Sequence, residues 1–496
     1  MKEHSLKKRY AIKLLANIIN GVINAILVAI VPKALGPVAY GQFTFIQNFF
    51  IKAIGFLDMG SSLAFFTKLS ANQERKELIL FYFLYAIFVL LTIALFVYVI
   101  EIFGYTKNLF PDIPNQYIFM GLFFGFLSWL TQIFIKISDA YALTVSVELI
   151  KIAHKIASLL LILYFIYYTA FDLEGYFYFQ YIALISFLLI LTWLFIKKNI
   201  FKEILNSQFS ILHLLKEFIE YCHPLVVYNI VGLIVGFLDI WLLQKYGGAT
   251  QTGFYGLAYS LAAMCFLFTS AMTPIITREF SKSYAQKDLD QMKRLFYRYI
   301  PMLYSVAAYF SVFVSMQSEN VLEIFTDDKF KDAYLVLMIM AFYPIHQTYG
   351  QLSSSIFYAT GQTKLMRNIA LFTQPLGFMI SFLLIFILNM GAVGLAIKMI
   401  VRQLISVNIQ LYFNAKFLKL DLKYFIFHQI YSVLLFVVLA FISTQIVFFD
   451  SAIISFLISG ILYTFFVIIS MFLYPKVFSV SKDELKELLK KVFKCH

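Results

Sequence analysis

LILFYFLYAIFVLLTIALFVYVI, residues 78–100, runs for 23 residues without a charge. An apolar segment of ~20 residues is the length that crosses the hydrocarbon core of a bilayer as a helix. The rest of the chain continues the pattern. Hydrophobic residues make up 61% and charged residues 14%, against roughly 45–50% and about 25% in soluble domains, and the mean hydropathy is +0.82. As a soluble protein, 496 residues would suggest about three domains, but about fourteen spans of ~20 residues use more than half of the chain. What remains is connecting loops, too little for a sizeable soluble domain.

Outward from residues 78–100, apolar windows mark six further spans in the first half: Ala11 to Val31, Gln42 to Phe66, Tyr117 to Ile135, Leu149 to Tyr168, Phe177 to Ile196 and Leu225 to Leu243. The second half adds Phe254 to Thr277, Tyr297 to Ser315, Tyr334 to Tyr358, Ile369 to Leu388, Ala392 to Tyr412, Tyr424 to Phe448 and Ala452 to Leu473. Runs of this length, without alternating ten-residue segments, favour helices over a barrel. The basic N-terminus (Lys2, Lys7, Lys8, Arg9) leads into a long apolar run with no small-residue cleavage site, which reads as a first span and not a removable signal. Cys222, Cys265 and Cys495 are far apart, so the sequence suggests neither a disulfide framework nor a metal site.

Charge placement tests the partition independently of hydropathy. With the N-terminus inside, 31 of the 40 basic residues fall on the inner side and five (Lys33, Lys107, Lys245, Lys329, Lys331) on the outer. Lys13, Lys52, Lys398 and Arg402 fall within spans. A missed span would invert every later loop, so this bias supports an even count with both termini cytoplasmic. The net charge of +13 is then the positive-inside pattern, and no nucleic-acid partner is implied. Anionic membrane lipid is the expected surface partner.

A weak echo recurs at an offset of about 212 residues: ALGPVAYGQFTF (34–45) against KYGGATQTGFYGLAYS (245–260), and FTKLSANQERKELI (66–79) against ITREFSKSYAQKDLDQMKRL (276–295). The same orientation in both halves makes this a parallel repeat. The expected organisation is an N-terminal six-helix lobe (1–196), a cytoplasmic interfacial linker (197–224), a C-terminal six-helix lobe (225–415), and two additional transmembrane helices with a cytoplasmic tail (416–496). ILHLLKEFIEY (211–221) and SKDELKELLKKVFK (481–494) read as helices lying on the inner surface.

Polar residues inside the spans carry the functional reading. Lys13, Asn17, Asn20 and Asn24 recur at helical spacing on one face of span one, as do Thr44, Asn48, Lys52 and Gly55 on span two, with Asp58 a turn further. Such a face avoids lipid, because a charge at mid-bilayer costs at least ~2.5 kcal/mol. The asparagines fit either a water-lined path or interhelical hydrogen bonds. Asn229, Gly236 and Asp239 share a broad face of span seven, Lys398 and Arg402 are i, i+4 on span twelve, and Gln347, Gln351, Ser354 and Tyr358 stripe span ten. Four embedded cations against two acids suit an anionic substrate better than a cation. Asp239 and Lys398 fit either a switching charge pair or a static one. No nucleophile–base pair, phosphate-cradling loop or acidic metal cluster is legible, so neither catalytic residues nor a cofactor nor a metal is expected. His346 reads as a packed polar residue.

These features resemble the polysaccharide flippases of the Wzx type, in the MOP superfamily that also holds MATE exporters and the lipid II flippase. The resemblance rests on ALGPVAYGQF (34–43), its echo at Gly247 to Tyr255, VLEIFTDDKFKDAYLVLMIM (321–340), SSSIFYATGQTKLMRN (353–368) and the order of twelve spans, and covers about residues 8–415. It implies an all-α polytopic membrane protein of about 14 transmembrane helices: two six-helix MOP/MATE-like lobes in parallel pseudo-two-fold repeat, set in a V, plus two extra C-terminal helices. It further implies alternating access in a bacterial inner membrane and passage of an undecaprenyl-pyrophosphate-linked oligosaccharide toward O-antigen, lipopolysaccharide or another surface polysaccharide, with a polysaccharide polymerase as a partner. Lys13 and Lys52, with Asn17, Asn20, Asn24 and Asn48, then contact the substrate, and Asp58, Asp239, Lys398 and Arg402 serve coupling or gating. Asp239 matches the acid of the lipid II flippase's sodium site, whereas Lys398 departs from it. The competing readings are a MATE-like multidrug or cation antiporter, which calls for an acidic N-terminal lobe, and a multispan polymerase or ligase, which calls for a larger outer loop than 317–333.

Overall fold

The computed structural model describes residues 6–141, 143–169, 171–202, 210–270, 272–447 and 449–480; the amphipathic segment 481–494 and Cys495 lie outside the described residues. Within that range the chain is helical, with no strand. The helices are α1 (Leu6–Asp58), α2 (Ser61–Ala71), α3 (Glu77–Ile102), α4 (Thr106–Leu109), α5 (Asn115–Ala140), α6 (Thr144–Tyr168), α7 (Leu173–Lys197), α8 (Ile211–Leu242) and α9 (Gly248–Ala263). They continue as α10 (Leu267–Ser270), α11 (Thr273–Ala285), α12 (Leu289–Met316), α13 (Ser318–Phe325), α14 (Tyr334–Met340), α15 (Tyr343–Ala359), α16 (Thr363–Ser381), α17 (Gly391–Leu418), α18 (Leu422–Ile446) and α19 (Ala452–Leu473).

Eleven stretches of the described residues are long and apolar enough to cross a membrane. Two of them, Ile19–Asp58 and Ile230–Phe266, each run through parts of two of the spans read from the sequence. The tenth span is interrupted at Ala341 and Phe342 and forms α14 and α15. The break follows from Pro344 in the first turn of α15, since proline has no N–H to continue the preceding helix. Span two is likewise divided: Met59 (φ 43°) and Gly60 (φ 88°) separate the end of α1 from α2. The linker helix expected at 211–221 is continuous with span seven in α8.

Contacts divide the chain into two compact units, Met1–Leu27 with Ala34–Gly253, and Val28–Lys33 with Phe254–His496. In the first, the repeat is visible as backbone geometry. Gly36 (φ 77°, ψ 168°) breaks α1, and Gly248 (φ 80°, ψ 176°) breaks the chain between α8 and α9. Just beyond each break the two segments touch. A Cβ on Gly41 would lie 1.7 Å from the Ala249 carbonyl oxygen, and one on Gly253 would lie 2.2 Å from the Pro37 carbonyl oxygen. Each of the three equivalent pairs, Gly36/Gly248, Pro37/Ala249 and Gly41/Gly253, is separated by the 212-residue offset of the echo. The loop after α3 closes over the same region. Gln42 donates to the Asp112 carbonyl (2.7 Å), Trp241 to that of Asn108 (3.0 Å) and Gln244 to that of Pro111 (3.1 Å). Phe110 lies 4.4 Å from Phe49, ring centre to ring centre.

In the second unit α12 is central. Tyr309 stacks on Tyr463 of α19 at 5.2 Å, its hydroxyl pairs with Thr464 at 2.7 Å, and Gln317 donates to Ser459 at 2.9 Å. Within lipid these hydrogen bonds and close-packed small residues hold helices together where no hydrophobic drive exists. Spans thirteen and fourteen therefore contribute to the core of this unit, with Phe436, Ala440, Tyr463 and Val467 buried in it.

Because the Gly41 and Gly253 contacts are against backbone, an added methyl has no flexible neighbour to displace. Gly41→Ala and Gly253→Ala are each expected to cost ~1–3 kcal/mol or more and to lower the thermal midpoint of the purified protein. Gly55→Ala, which meets only the flexible Leu233 side chain at 3.3 Å, should change the midpoint little.

Candidate functional site

The site grows from the break of α1 at Gly36, which lays residues 42–58 beside α8. Lys52 projects from this half of α1 and donates from Nζ to the Gly236 carbonyl oxygen of α8. Gly236 makes room for it: a Cβ there would stand 3.3 Å from Lys52 Cε. Asp239, buried, lies one turn further along the same face of α8. Beside Lys52 opens a cavity of about 410 Å³ between α1, α3 and α8, walled by Phe49, Phe56, Phe96, Leu233 and Phe237 among others. Asn48 is held to its own helix, donating to the Thr44 carbonyl at 2.8 Å.

The polar face of span one meets α6. Lys155 donates to Asn24 Oδ1 at 2.7 Å, while Asn20 Oδ1 is buried without a hydrogen-bond partner. The side chains of Lys13, Asn17 and Asn229 lie outside the described part of the chain. Lys155, which falls within the apolar window Leu149 to Tyr168 but is counted among the 31 inner basic residues, sits about half-way along the membrane-crossing stretch Val145–Tyr168. Its mid-span position was readable from helix length alone once α6 is known to begin at Thr144.

Asp58, a coupling candidate, caps the broken helix. Its carboxylate accepts from Ser62 N–H (3.2 Å), Ser62 Oγ (2.9 Å), Ser61 Oγ (3.1 Å) and Tyr82 OH (2.9 Å). Lys136 donates to Ser62 Oγ and so extends this network to α5. A negative cap at the start of α2 suits both the orphan N–H groups and the helix dipole. Beside it a second cavity of about 240 Å³ is lined by Tyr82, Tyr85, Phe218 and Cys222.

Near this network, Glu217 of α8 is clasped by Lys68 of α2 and by Arg75 of the loop between α2 and α3. Arg75 binds it bidentately (Nη1–Oε1 2.9 Å, Nη2–Oε2 3.0 Å), and Lys68 adds a bond of 2.7 Å. Arg75 also holds Glu77 at 2.9 Å. The Arg75 hydrogen bonds, with Lys68 assisting, push the Glu217 carboxyl down from 4.5 to about 2. The sequence offered charges on a surface helix but not their partners, which are about 140 residues away in the chain.

In the second unit, Lys398 and Arg402 lie one turn apart on α17, and Lys398 is only 1% exposed. Arg402 donates to Gln374 Oε1 at 2.9 Å. Gly377 of α16 is the residue that admits both cations, since a Cβ there would meet Arg402 Cδ at 2.5 Å and Lys398 Cε at 3.1 Å. Asp239 belongs to the first unit and Lys398 to the second. The interhelical contacts of span ten are made beside the stripe, where Ser355 pairs with Thr277 at 2.7 Å and Thr348 with Thr269 at 2.9 Å, while Ser354 of the stripe donates to the Gln351 carbonyl of its own helix at 3.0 Å. No cluster of metal-ligating side chains occurs among the described residues.

A polytopic, all-helical membrane protein with cations on the inward faces of its helices is the class these elements define. Among solved structures, the lipid II flippase MurJ in an inward closed conformation superposes with a TM-score of 0.63 at 17% identity, covering 93% of this chain and 98% of that one. An inward-facing multidrug resistance MATE family transporter of the MOP superfamily gives 0.61 at 16% identity, covering 85% and 97%. A MOP superfamily transporter from Pyrococcus furiosus gives 0.55 at 15%, covering 85% and 97%. No curated protein matches the chain. The family model described as "Polysaccharide biosynthesis protein" matches residues 6–280, more than half of the chain, and the MatE model matches residues 224–383. The chain belongs to the polysaccharide biosynthesis protein family. It is a multi-pass, all-helical membrane protein with the fold of these transporters.

The Arg75–Glu217–Lys68 clasp gives a pH prediction with a definite sign. A depressed carboxyl contributes stability that is complete above its ordinary value of 4.5 and is lost as pH falls toward about 2. Glu217→Gln should lower the thermal midpoint by the equivalent of about 1 kcal/mol, a figure discounted for solvent screening. The gap between variant and wild type should be constant from pH 5 to 8 and close only in stronger acid.

Proposed function

We propose that this transporter moves an undecaprenyl-pyrophosphate-linked oligosaccharide from the inner to the outer leaflet of a bacterial inner membrane by alternating access, for O-antigen-like or other surface polysaccharide. The observation that supports the reading is Lys52, an embedded cation on the wall of a cavity of about 410 Å³, where it donates to the Gly236 carbonyl. A pyrophosphate is a charged acceptor, and charge-assisted hydrogen bonds are about twice as strong as neutral ones. Lys52, with Lys13, Asn17, Asn20, Asn24 and Asn48 on the same pair of spans, attracts the head group, and Lys155 adds a further cation beside Asn24. Asp239, Lys398, Arg402 and Asp58 are our candidates for coupling. A polysaccharide polymerase is the proposed downstream partner.

In cells that depend on this protein for surface glycan, Lys52→Arg should retain partial export. Lys52→Ala and Lys52→Glu should stop export while protein level holds. Full export by the Lys52→Ala protein removes Lys52 from the mechanism. The MATE-like reading is favoured only by the MatE match over residues 224–383. It requires drug efflux to persist in Lys52→Ala, and the same strains test it.

The proposed orientation, with both termini cytoplasmic, rests on the inner excess of Lys and Arg. A cysteine at Lys107, exposed after α3, should react with an impermeant maleimide on intact cells. A cysteine at Lys364, exposed at the start of α16, should react only after permeabilisation. The reverse pattern overturns the topology.

A further inference from the structure

We infer that the cavity beside Lys52 is a lateral binding groove for the isoprenoid chain of the lipid carrier, with Lys52 at the point where chain gives way to phosphate. The inference deepens the flippase reading and rests on it for the identity of the head group.

Three observations point there. The groove's volume, about 410 Å³, lies in the ~300–1,000 Å³ range of ligand sites and has room for the few isoprene units nearest the phosphate. Its wall residues are aromatic and aliphatic apart from Thr92 and Lys52, and Thr92 spends its hydroxyl on the Phe88 carbonyl of its own helix at 2.8 Å. Among the described lining residues Lys52 is the only charged one. Finally, the groove opens sideways: Phe56 of α1, Phe96 of α3 and Ile234 of α8 are 41%, 47% and 48% exposed. All three sit in membrane-crossing stretches, where an exposed apolar rim faces acyl chains and not water. A ligand entering by that route arrives from the bilayer as an amphiphile.

The chemistry at the inner wall matches an amphiphile with an anionic head. An uncharged lipid offers the Lys52 ammonium no charge-assisted bond. A phosphate replaces the Gly236 carbonyl as acceptor with a charge-assisted bond. The absence of a side chain at Gly236 keeps the Lys52 stem against α8, which leaves the apolar wall of Phe49, Phe237 and Leu233 clear for the chain.

The test uses the full-length protein in nanodiscs and a farnesyl pyrophosphate analogue carrying a diazirine in its chain. Photolysis should label peptides containing Thr92–Phe96 of α3 and Leu233–Leu238 of α8. Unmodified farnesyl pyrophosphate should compete; inorganic pyrophosphate at the same concentration should not. Lys52→Met should weaken competition about tenfold. Ile234→Trp, which fills the groove from α8, and Thr92→Phe, which fills it from α3, should each abolish groove labelling at an unchanged thermal midpoint. Label scattered over lipid-facing residues and insensitive to both filling variants overturns the proposal. So does displacement by phosphatidylglycerol as effective as by farnesyl pyrophosphate, which assigns the groove to bilayer lipid. Failure of the flippase reading looks different: specific, Lys52-dependent groove labelling in a protein that exports no glycan leaves the groove standing alone. Normal export with both filling variants and no label in the groove leaves the flippase standing without it.

Discussion

The contact of two backbones governs the first unit. After Gly36 and Gly248 turn the chain into conformations that L side chains rarely adopt, Gly41 meets the Ala249 carbonyl and Gly253 meets the Pro37 carbonyl with no room for a methyl. The relation is reciprocal. Each copy of the repeat presents a glycine to the carbonyl of the other, as self-complementary two-fold interfaces do. Apolar side chains gain little by leaving lipid for one another, so close approach through small residues is one of the main sources of helix association here. The kink at Gly36 then decides which face of residues 42–58 turns to α8, and so where Lys52 points.

From that placement follows the chemistry beside Lys52. A lysine stem needs a neighbour without bulk, and Gly236 supplies it. The aromatic wall around the stem (Phe49 with Phe110 at 4.4 Å and Phe237 at 5.1 Å) excludes water and lowers the local dielectric, which raises the worth of any charge-assisted bond formed there. Below it, Asp58 caps the broken span, and Glu217 is clasped by Arg75 and Lys68. The N-terminal end of α8 is thereby tied to α2 and its following loop through the Glu217 carboxylate, which the Arg75 guanidinium holds well below its ordinary range.

The second unit solves the same problem differently. Its close contacts are side-chain hydrogen bonds between helices: Asn414 to Ser353 at 2.8 Å, Gln317 to Ser459 at 2.9 Å, and Tyr309 to Thr464 at 2.7 Å. The absence of a side chain at Gly377 lets Lys398 and Arg402 lie together on α17, with Gln374 taking one Arg402 donor. Spans thirteen and fourteen, which have no counterpart in the repeat, close this core through Tyr463 and His428.

Much of this was written in one dimension. Uncharged runs such as residues 78–100 dictate membrane-crossing helices, because a backbone in lipid must satisfy its own hydrogen bonds. The 212-residue echo announces the repeat, and the helical spacing of Lys13 to Asn24 and of Thr44 to Gly55 marks the polar faces. Neighbours distant in sequence could not be read that way. Nothing in the spacing of span two says that Lys52 reaches Gly236, nor in the linker that Glu217 meets Arg75, nor in span five that Lys155 finds Asn24. The breaks at Met59–Gly60 and Ala341–Phe342 were also hidden within apolar runs, since hydropathy averages over a window while a helix ends at one residue. Periodicity reports which side chains share a face; which face meets which is settled only when whole helices pack, because that depends on small residues and kinks whose effect is steric and cooperative.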